Sequence, residues 1–188
     1  MNLDTVPIDM APSGDCNGNG VPDATDLANF TSFDWNSNGL PDECEQLGVV
    51  YCSPQQHNST GLPSFLIITG SNRVADNDVL LSAVNVPPLT FGTFLVSPLQ
   101  GLLNGPATGF SSGNLCLGQQ ALGIYRQQIT VSDATGRLSI QIDLNTIPLT
   151  TGPTMAMPGM TLNFQAFFRD NTATIRSNLS DAVQVTFY

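Results

Sequence analysis

Lysine is absent from this 188-residue chain, and all five arginines lie after residue 72, so the first 72 residues carry no permanently positive side chain. Phosphate backbones recruit clusters of basic side chains, and the lack of one excludes nucleic acid as an expected partner. Long apolar runs are missing as well. The longest aliphatic stretch, FLII from Phe65 to Ile68, falls far short of the roughly 18 residues a membrane span requires. The opening MNLDTVPIDM has neither the basic nor the apolar region of a signal peptide.

Catalytic raw material is scarce too. His57 is the only histidine, so any Ser-His-Asp or Cys-His scheme must pass through one residue of a polar turn. Residues 51–188 contain no glutamate, which leaves Asp76, Asp78, Asp133, Asp143, Asp170 and Asp181 as the acids available for glycoside chemistry. The ADND run at 75–78 reads as a turn entering a strand or as a minor cation site, and Arg169 with Asp170 as a strand-end ion pair. No glycine-rich phosphate loop is present. A non-enzyme is expected.

What is there is concentrated at one end. Residues 1–50 hold nine acids and no base, giving −9, while residues 51–188 hold six acids and five arginines, giving −1; together they make the net −10. A folded segment of that charge repels itself unless cations sit within it. The acids fall in two similar stretches, DCNGNGVPDATD (15–26) and DWNSNGLPDECE (34–45). On the twelve positions of an EF-hand loop, Asp15, Asn17, Asn19, the Val21 carbonyl, Asp23 and Asp26 take ligand positions 1, 3, 5, 7, 9 and 12, with Gly20 at the turn. Asp34, Asn36, Asn38, the Leu40 carbonyl, Asp42 and Glu45 take the same places in the second stretch, with Gly39 at the turn. These are hard oxygen donors of the kind calcium takes, and zinc's histidines or thiolates are missing, so two Ca2+ ions are expected.

Proline stands at position 8 of each loop, Pro22 and Pro41, where paired EF-hands join through a backbone N–H that proline lacks. With that substitution the stretch 14–46 resembles dockerin and thrombospondin type 3 calcium repeats, and the DCNGNGxPD repeats of secreted bacterial surface proteins. The resemblance implies a loop, a short helix and a second loop, and ATDLANFTSF (24–33) is the candidate helix. A pseudo-dyad between the loops would bring position 2 of one, Cys16, to position 11 of the other, Cys44. A bridge there would stabilise by roughly 3–4 kcal/mol on chain-entropy grounds; two buried free thiols are the alternative. Cys52 and Cys116, in the second segment, are taken as disulfide cysteines too. An even count points to an oxidising, extracellular or cell-surface location.

From Tyr51 onward the texture changes to short β-rich runs separated by glycine, proline and asparagine. Candidate strands cover 64–70, 77–86, 91–98, 113–118, 124–132, 137–144, 160–170 and 182–188, and DATG (133–136) turns the chain between two alternating strands as the best-defined hairpin. The whole reads as mainly β: an extended amino-terminal strand (1–13), a small dockerin-like calcium-binding module (14–47), and an antiparallel β-sandwich (51–188) of jelly-roll or immunoglobulin-like topology. The last segment, through YCSPQQHNSTGLP, ADND, GNLCLG and NFQAFFRD, also resembles the carboxy-terminal β domain that follows such repeats. Asn29, Asn58 and Asn178 begin N-x-S/T sequons and are candidate glycosylation sites. The Thr- and Pro-rich stretch 146–160 reads as an O-glycan carrier or a plain long connection. In VPIDM, Val6, Ile8 and Met10 share one face, as in an edge strand that could fold back on its own domain or be donated to another molecule.

These features lead to the expectation of a non-catalytic, calcium-rigidified extracellular structural or adhesive protein. Its expected partners are copies of itself, as a homo-oligomer or filament, or cell-surface components. A docking module with β-sandwich cargo and a carbohydrate-binding module with glycan partners are the alternatives.

Overall fold

In the computed structural model, the residues described are 5–7, 14–16, 19–32, 34, 39–41, 44–53, 55–118, 124–149, 152–171 and 175–188. Near the amino terminus, β1 (Thr5–Pro7) is followed by α1 (Asp23–Asn29), and β2 (Glu45–Leu47) pairs antiparallel with β1. Gly48 then turns the chain at φ +82° against the Gln184 carbonyl, where a Cβ would collide, and β3 (Val49–Tyr51) follows at once. No free linker separates the acidic head from the rest, because all of β2 is buried.

The remainder is antiparallel β structure, as expected from its period-two patterning. β4 (Phe65–Gly70), β5 (Val79–Val84) and β11 (Leu138–Ile142) form a three-stranded sheet in the order β11-β5-β4. A larger sheet is built on β6 (Phe91–Ser97), β14 (Thr161–Arg169) and β15 (Ser177–Thr186). Its order is β10-β6-β14-β15-β3, with β9 (Tyr125–Arg126) and β10 (Thr130–Val131) both on the β6 edge. The apolar residues alternate along these strands, so one face of each sheet contributes to a single core. Leu66, Ile68, Val79, Leu81 and Leu138 meet Phe94, Phe164, Phe168, Val183 and Val185 there, all nearly or fully buried. Truncating one of these large side chains to alanine would cost roughly 2–5 kcal/mol.

The expected strands are present with trimmed ends, and four differences have physical causes. The 124–132 run is split into β9 and β10, whose Arg126 and Thr130 pair with Leu95 and Gly92 of β6. The DATG turn is formed, with Asp133 N donating to the Arg137 carbonyl at 2.9 Å, but its flanking strands enter different sheets, β10 against β6 and β11 against β5. Gly136, at φ +80°, makes that crossing possible by leaving room for the Val86 carbonyl. The stretch 146–160 holds a small hairpin of β12 (Ile147–Leu149) and β13 (Gly152–Thr154), in which Pro148 faces Pro153. β15 begins at Ser177, five residues before its expected start; Asn178, Ser180 and Asp181 are buried polar residues that break the apolar alternation from which a strand would be read.

A third layer lies on the other face of the larger sheet. β7 (Gln100–Leu103), α2 (Gly105–Thr108) and β8 (Leu115–Leu117) fold over it and bury Leu115 and Leu117 against Leu95 and Leu179. Asn104 caps α2, its side chain accepting from Ala107 N at 3.0 Å. The Cys52–Cys116 disulfide, with Cα atoms 6.3 Å apart, ties β8 to the residue after β3. Gln165 fills the polar gap beneath: its oxygen accepts from Cys116 N at 2.9 Å, and its nitrogen donates to the carbonyls of Asn114 and Ser180. Opposite Ala166, β15 carries an extra residue between Ala182 and Leu179, and the Ala166 N–H turns to the Ser180 hydroxyl at 3.0 Å.

Asp181 lies at the junction of the two sheets, 3% exposed, with its carboxylate accepting from Leu66 N at 2.6 Å. Burial pushes its pKa up to about 6 against the help of that bond. The charged form is therefore disfavoured in the folded state. The stability associated with the neutral acid is fully present below the ordinary carboxylate pKa and is lost as pH rises through about 6. Two pH units correspond to roughly 3 kcal/mol. Denaturant unfolding at saturating calcium, compared at pH 4.5 and 7.5, is expected to gain about 2–3 kcal/mol for Asp181→Asn over the parent at the higher pH only; an equal effect at both pH values would show that ionisation is not the cause.

Candidate functional site

The two acidic loops share one turn, from position 1 to position 6, that follows from their sequence. In the first, Asp15 accepts from Asn19 N at 3.2 Å and from Gly20 N at 2.9 Å. In the second, Asp34 accepts from Gly39 N at 2.8 Å. The carboxylate at position 1 thus folds onto the glycine at position 6 in both, and Gly20 and Gly39 take the positive φ values of 85° and 90° that the turn requires. Asn19 ties its loop together: its oxygen accepts from Val21 N at 2.7 Å, and its nitrogen donates to Asp26 at 3.0 Å. Asp23 receives Cys16 N at 2.9 Å, and Asp26 receives the Thr31 hydroxyl at 2.7 Å.

Position 12 is deeply placed in both loops, Asp26 and Glu45 each being 2% exposed. Asp23 and Asp26 open α1, whose amino-terminal N–H groups favour negative charge, and Phe30 closes it in the left-handed conformation. The helix is shorter than the expected 24–33, because Thr31 N and Ser32 N both return to the Asp26 carbonyl. Glu45 belongs to β2, so the last expected ligand of the second loop is part of a buried strand. In the first loop Asn19 links Asp15 to Asp26, but the carboxylates of Asp15, Asp23 and Asp26 do not all come within 4.8 Å of one another; of the second, Asp34, Leu40 and Glu45 are described, whereas Asn36, Asn38 and Asp42 lie outside the described residues, as does Asn17 of the first.

Cys16 and Cys44 are bonded, with Cα atoms 5.7 Å apart, which is the pairing of position 2 with position 11. Asp23 lies beside them, its carboxylate oxygen and the two sulfurs all within 4.8 Å. With both sulfurs in a disulfide, that trio is no thiolate metal centre. The donors that remain are carboxylate, amide and carbonyl oxygens, a set that suits Ca2+ and not zinc.

Comparison with protein-family models, curated proteins and solved structures finds no match to this chain. The resemblance to calcium repeats therefore rests on the loop residues themselves.

Elsewhere, several candidate residues turn out to hold the fold together. Asn58 is buried: its nitrogen donates to Ser64 Oγ at 2.8 Å and to the Asn85 carbonyl at 2.6 Å, while its oxygen accepts from Thr60. Asn178 is fully buried and donates to the Gln56 and His57 carbonyls and to Asp170. A glycan on either nitrogen would displace these bonds, so the folded chain has no room for one at Asn58 or Asn178. Asn29 stays exposed at the end of α1. Asp170 is fully buried and takes Ser59 N at 3.0 Å, whereas Arg169 is exposed on the opposite face of β14, so the two form no ion pair. Among the described residues the only ion pair is Arg73 with Asp76, at 4.0 Å.

The ADND run is a structural turn. Asn77 takes a left-handed conformation, donates to Asp143 at 3.1 Å and accepts from Leu144 N at 2.7 Å. Asp143 is held down at about 2, first by the Asn145 backbone N–H and then by the Asn145 and Thr146 side chains. His57 is exposed in its turn. Val6 pairs with Gln46 of the same chain, while Ile8 and Met10 lie outside the described residues. No helix among those described is long and apolar enough to cross a membrane.

The contrast between sequons is measurable. Asn178→Ala strips a buried carboxylate and two backbone carbonyls of a donor and is expected to cost about 2–4 kcal/mol in denaturant unfolding, against less than about 0.5 kcal/mol for Asn29→Ala at an exposed position. Equal effects would contradict the burial of Asn178.

Proposed function

We propose that this is a non-catalytic extracellular structural or adhesive protein whose acidic head is made rigid by two calcium ions and which associates with copies of itself. The observation that carries the proposal is the repeated turn, in which Asp15 meets Gly20 and Asp34 meets Gly39 at the same spacing. This turn is followed in each loop by a buried carboxylate at position 12. The first loop contains three carboxylates and the second four, three of each at ligand positions, and no lysine or arginine occurs before Arg73. Like charges 4 Å apart near a protein surface repel by roughly 4 kcal/mol. A divalent ion in each loop turns that repulsion into attraction. Asp15, Asn17, Asn19, the Val21 carbonyl, Asp23 and Asp26 would hold the first ion, and Asp34, Asn36, Asn38, the Leu40 carbonyl, Asp42 and Glu45 the second.

The head would then act as a stiff spacer and not a tether, because β2 carries Glu45 at one end and Leu47, a member of the main core, at the other. The two disulfides suit an oxidising compartment. We read the two sheets and their common core as a β-sandwich, and the head as a dockerin-like module.

Isothermal titration of the chelator-treated protein is expected to find two calcium ions per chain. Saturation at about 100 times Kd should stabilise by roughly 2.7 kcal/mol per site, and Asp15→Ala with Asp34→Ala should abolish both effects. If no calcium binds, or if the double variant melts like the parent in calcium, the reading fails.

A further inference from the structure

The outer face of the larger sheet is only half covered. The β7–α2–β8 layer closes over Leu95 and Leu179, and Phe110, at its border, stacks on Phe167 with centroids 5.7 Å apart. Beyond it the face is open. Val131 pairs directly with Phe91, and directly paired residues share a face. Arg169, one residue past the Phe168–Gly92 pair, stands next to Phe91 on the neighbouring strand. Ile129, just before β10, is exposed close to Val131 in the chain. Phe91 is 62% exposed, Ile129 65%, Val131 46% and Phe110 41%.

This patch has a positive rim. Arg169 and Arg176 are both exposed, and among the described residues no carboxylate lies within ion-pair distance of either. Asp170, beside Arg169 in sequence, is buried on the other side. The acidic head has the complementary character. Phe30, at the left-handed end of α1, is 81% exposed in a segment of nine acids and no base. Two bound calcium ions would still leave that segment at −9 + 4, or −5.

We propose that the uncovered half of this sheet face receives the acidic head of a second copy of the chain, with Phe30 as the apolar anchor on Phe91, Ile129 and Val131, and Arg169 and Arg176 facing its carboxylates. This deepens the self-association reading and rests on it. The contact joins two different surfaces, head to tail, so every bound copy presents a fresh head and a fresh patch and the assembly stays open unless its rotation closes a ring. It is aromatic at its centre and charged at its margin, the layout that gives most interfaces their affinity and orientation.

The test uses two single variants of the full chain, Phe30→Ser, which spoils the head, and Phe91→Ser, which spoils the patch. Both positions are exposed, and thermal melts confirm folding. Sedimentation velocity from about 1 to 200 μM covers the affinities expected of such a contact. The parent should grow past the dimer as concentration rises, each variant alone should stay monomeric, and an equimolar mixture should form a dimer and nothing larger, since only one intact head and one intact patch remain to meet. Arg169→Glu with Arg176→Glu should weaken the parent's association by about tenfold or more. A parent that stays monomeric, a Phe30→Ser variant that associates like the parent, or a mixture that stays monomeric overturns the proposal.

Calcium binding is read separately by titration. Intact assembly without bound calcium would sink the metal reading and leave the contact standing; bound calcium with assembly indifferent to Phe30 would do the reverse.

Discussion

A strand at the edge of a sheet must satisfy the backbone N–H groups on its outer side, and in this protein that requirement couples the acidic head, the larger sheet and the smaller sheet. β4 is such an edge. Its outward N–H groups are met not by another strand but by side chains: Leu66 N donates to Asp181 of β15 at 2.6 Å, and Ile68 N to Gln46 of β2 at 3.1 Å. One neighbour comes from the larger sheet and the other from the strand that ends the second acidic loop. Because Leu66 and Ile68 are buried, losing either acceptor would leave an N–H without water to replace it. The two bonds close the edge against unwanted pairing; the first joins the two sheets and the second fastens the head to the body.

The cost of this arrangement is a set of buried polar groups, each of which needs partners. Asp181 illustrates the balance: one strong backbone donor helps its charged form, yet burial outweighs it and raises its pKa. Asp170 and Asn178 form a second cluster, closing the 56–60 turn onto β15 through Ser59 N and the carbonyls of Gln56 and His57. Gln165 forms a third beneath the disulfide at Cys116. These residues explain why a domain with only eleven charged side chains beyond residue 50 buries two aspartates and still has structure around them. Asp170, Asn178, Asp181 and Gln165 serve as cross-links between layers.

Charge is arranged differently. The acids gather at one end, where the paired loops hold them, while the arginines lie on the β segment, two of them beside an uncovered apolar face. Charge is therefore segregated along the chain, and both the metal reading and the proposed head-to-tail contact start from that asymmetry.

Much of the architecture was legible in the alternation of apolar residues, because a strand with one buried face must repeat every two residues whatever its neighbours are. β4, β5, β6, β8, β11 and β14 appear where that pattern placed them. The loops were legible for a comparable reason, since Asp-x-Asn-x-Asn-Gly encodes a local turn whose hydrogen bonds stay within a few residues. The Cys16–Cys44 bond came from the internal symmetry of the repeat. Where local patterning was misleading, the controlling contact lay far away in the chain: β15 starts early because Asn178 and Asp181 find partners at His57 and Leu66, and the DATG strands part because each has a better neighbour in a different sheet.

Composition and local spacing alone thus determined the segregation of charge, the two turn-forming acidic loops, the β character of the body and the reach of most of its strands, since all of these depend on side chains within a few residues of one another. Which strands pair, which asparagines are sealed inside, that Gln46 and Asp181 stand in for a missing strand, and that Phe91 and Val131 share one exposed face were decided only in three dimensions. Each of those outcomes is a competition among distant segments for the same hydrogen bonds and the same apolar surface, and its winner is not encoded at any single place in the chain.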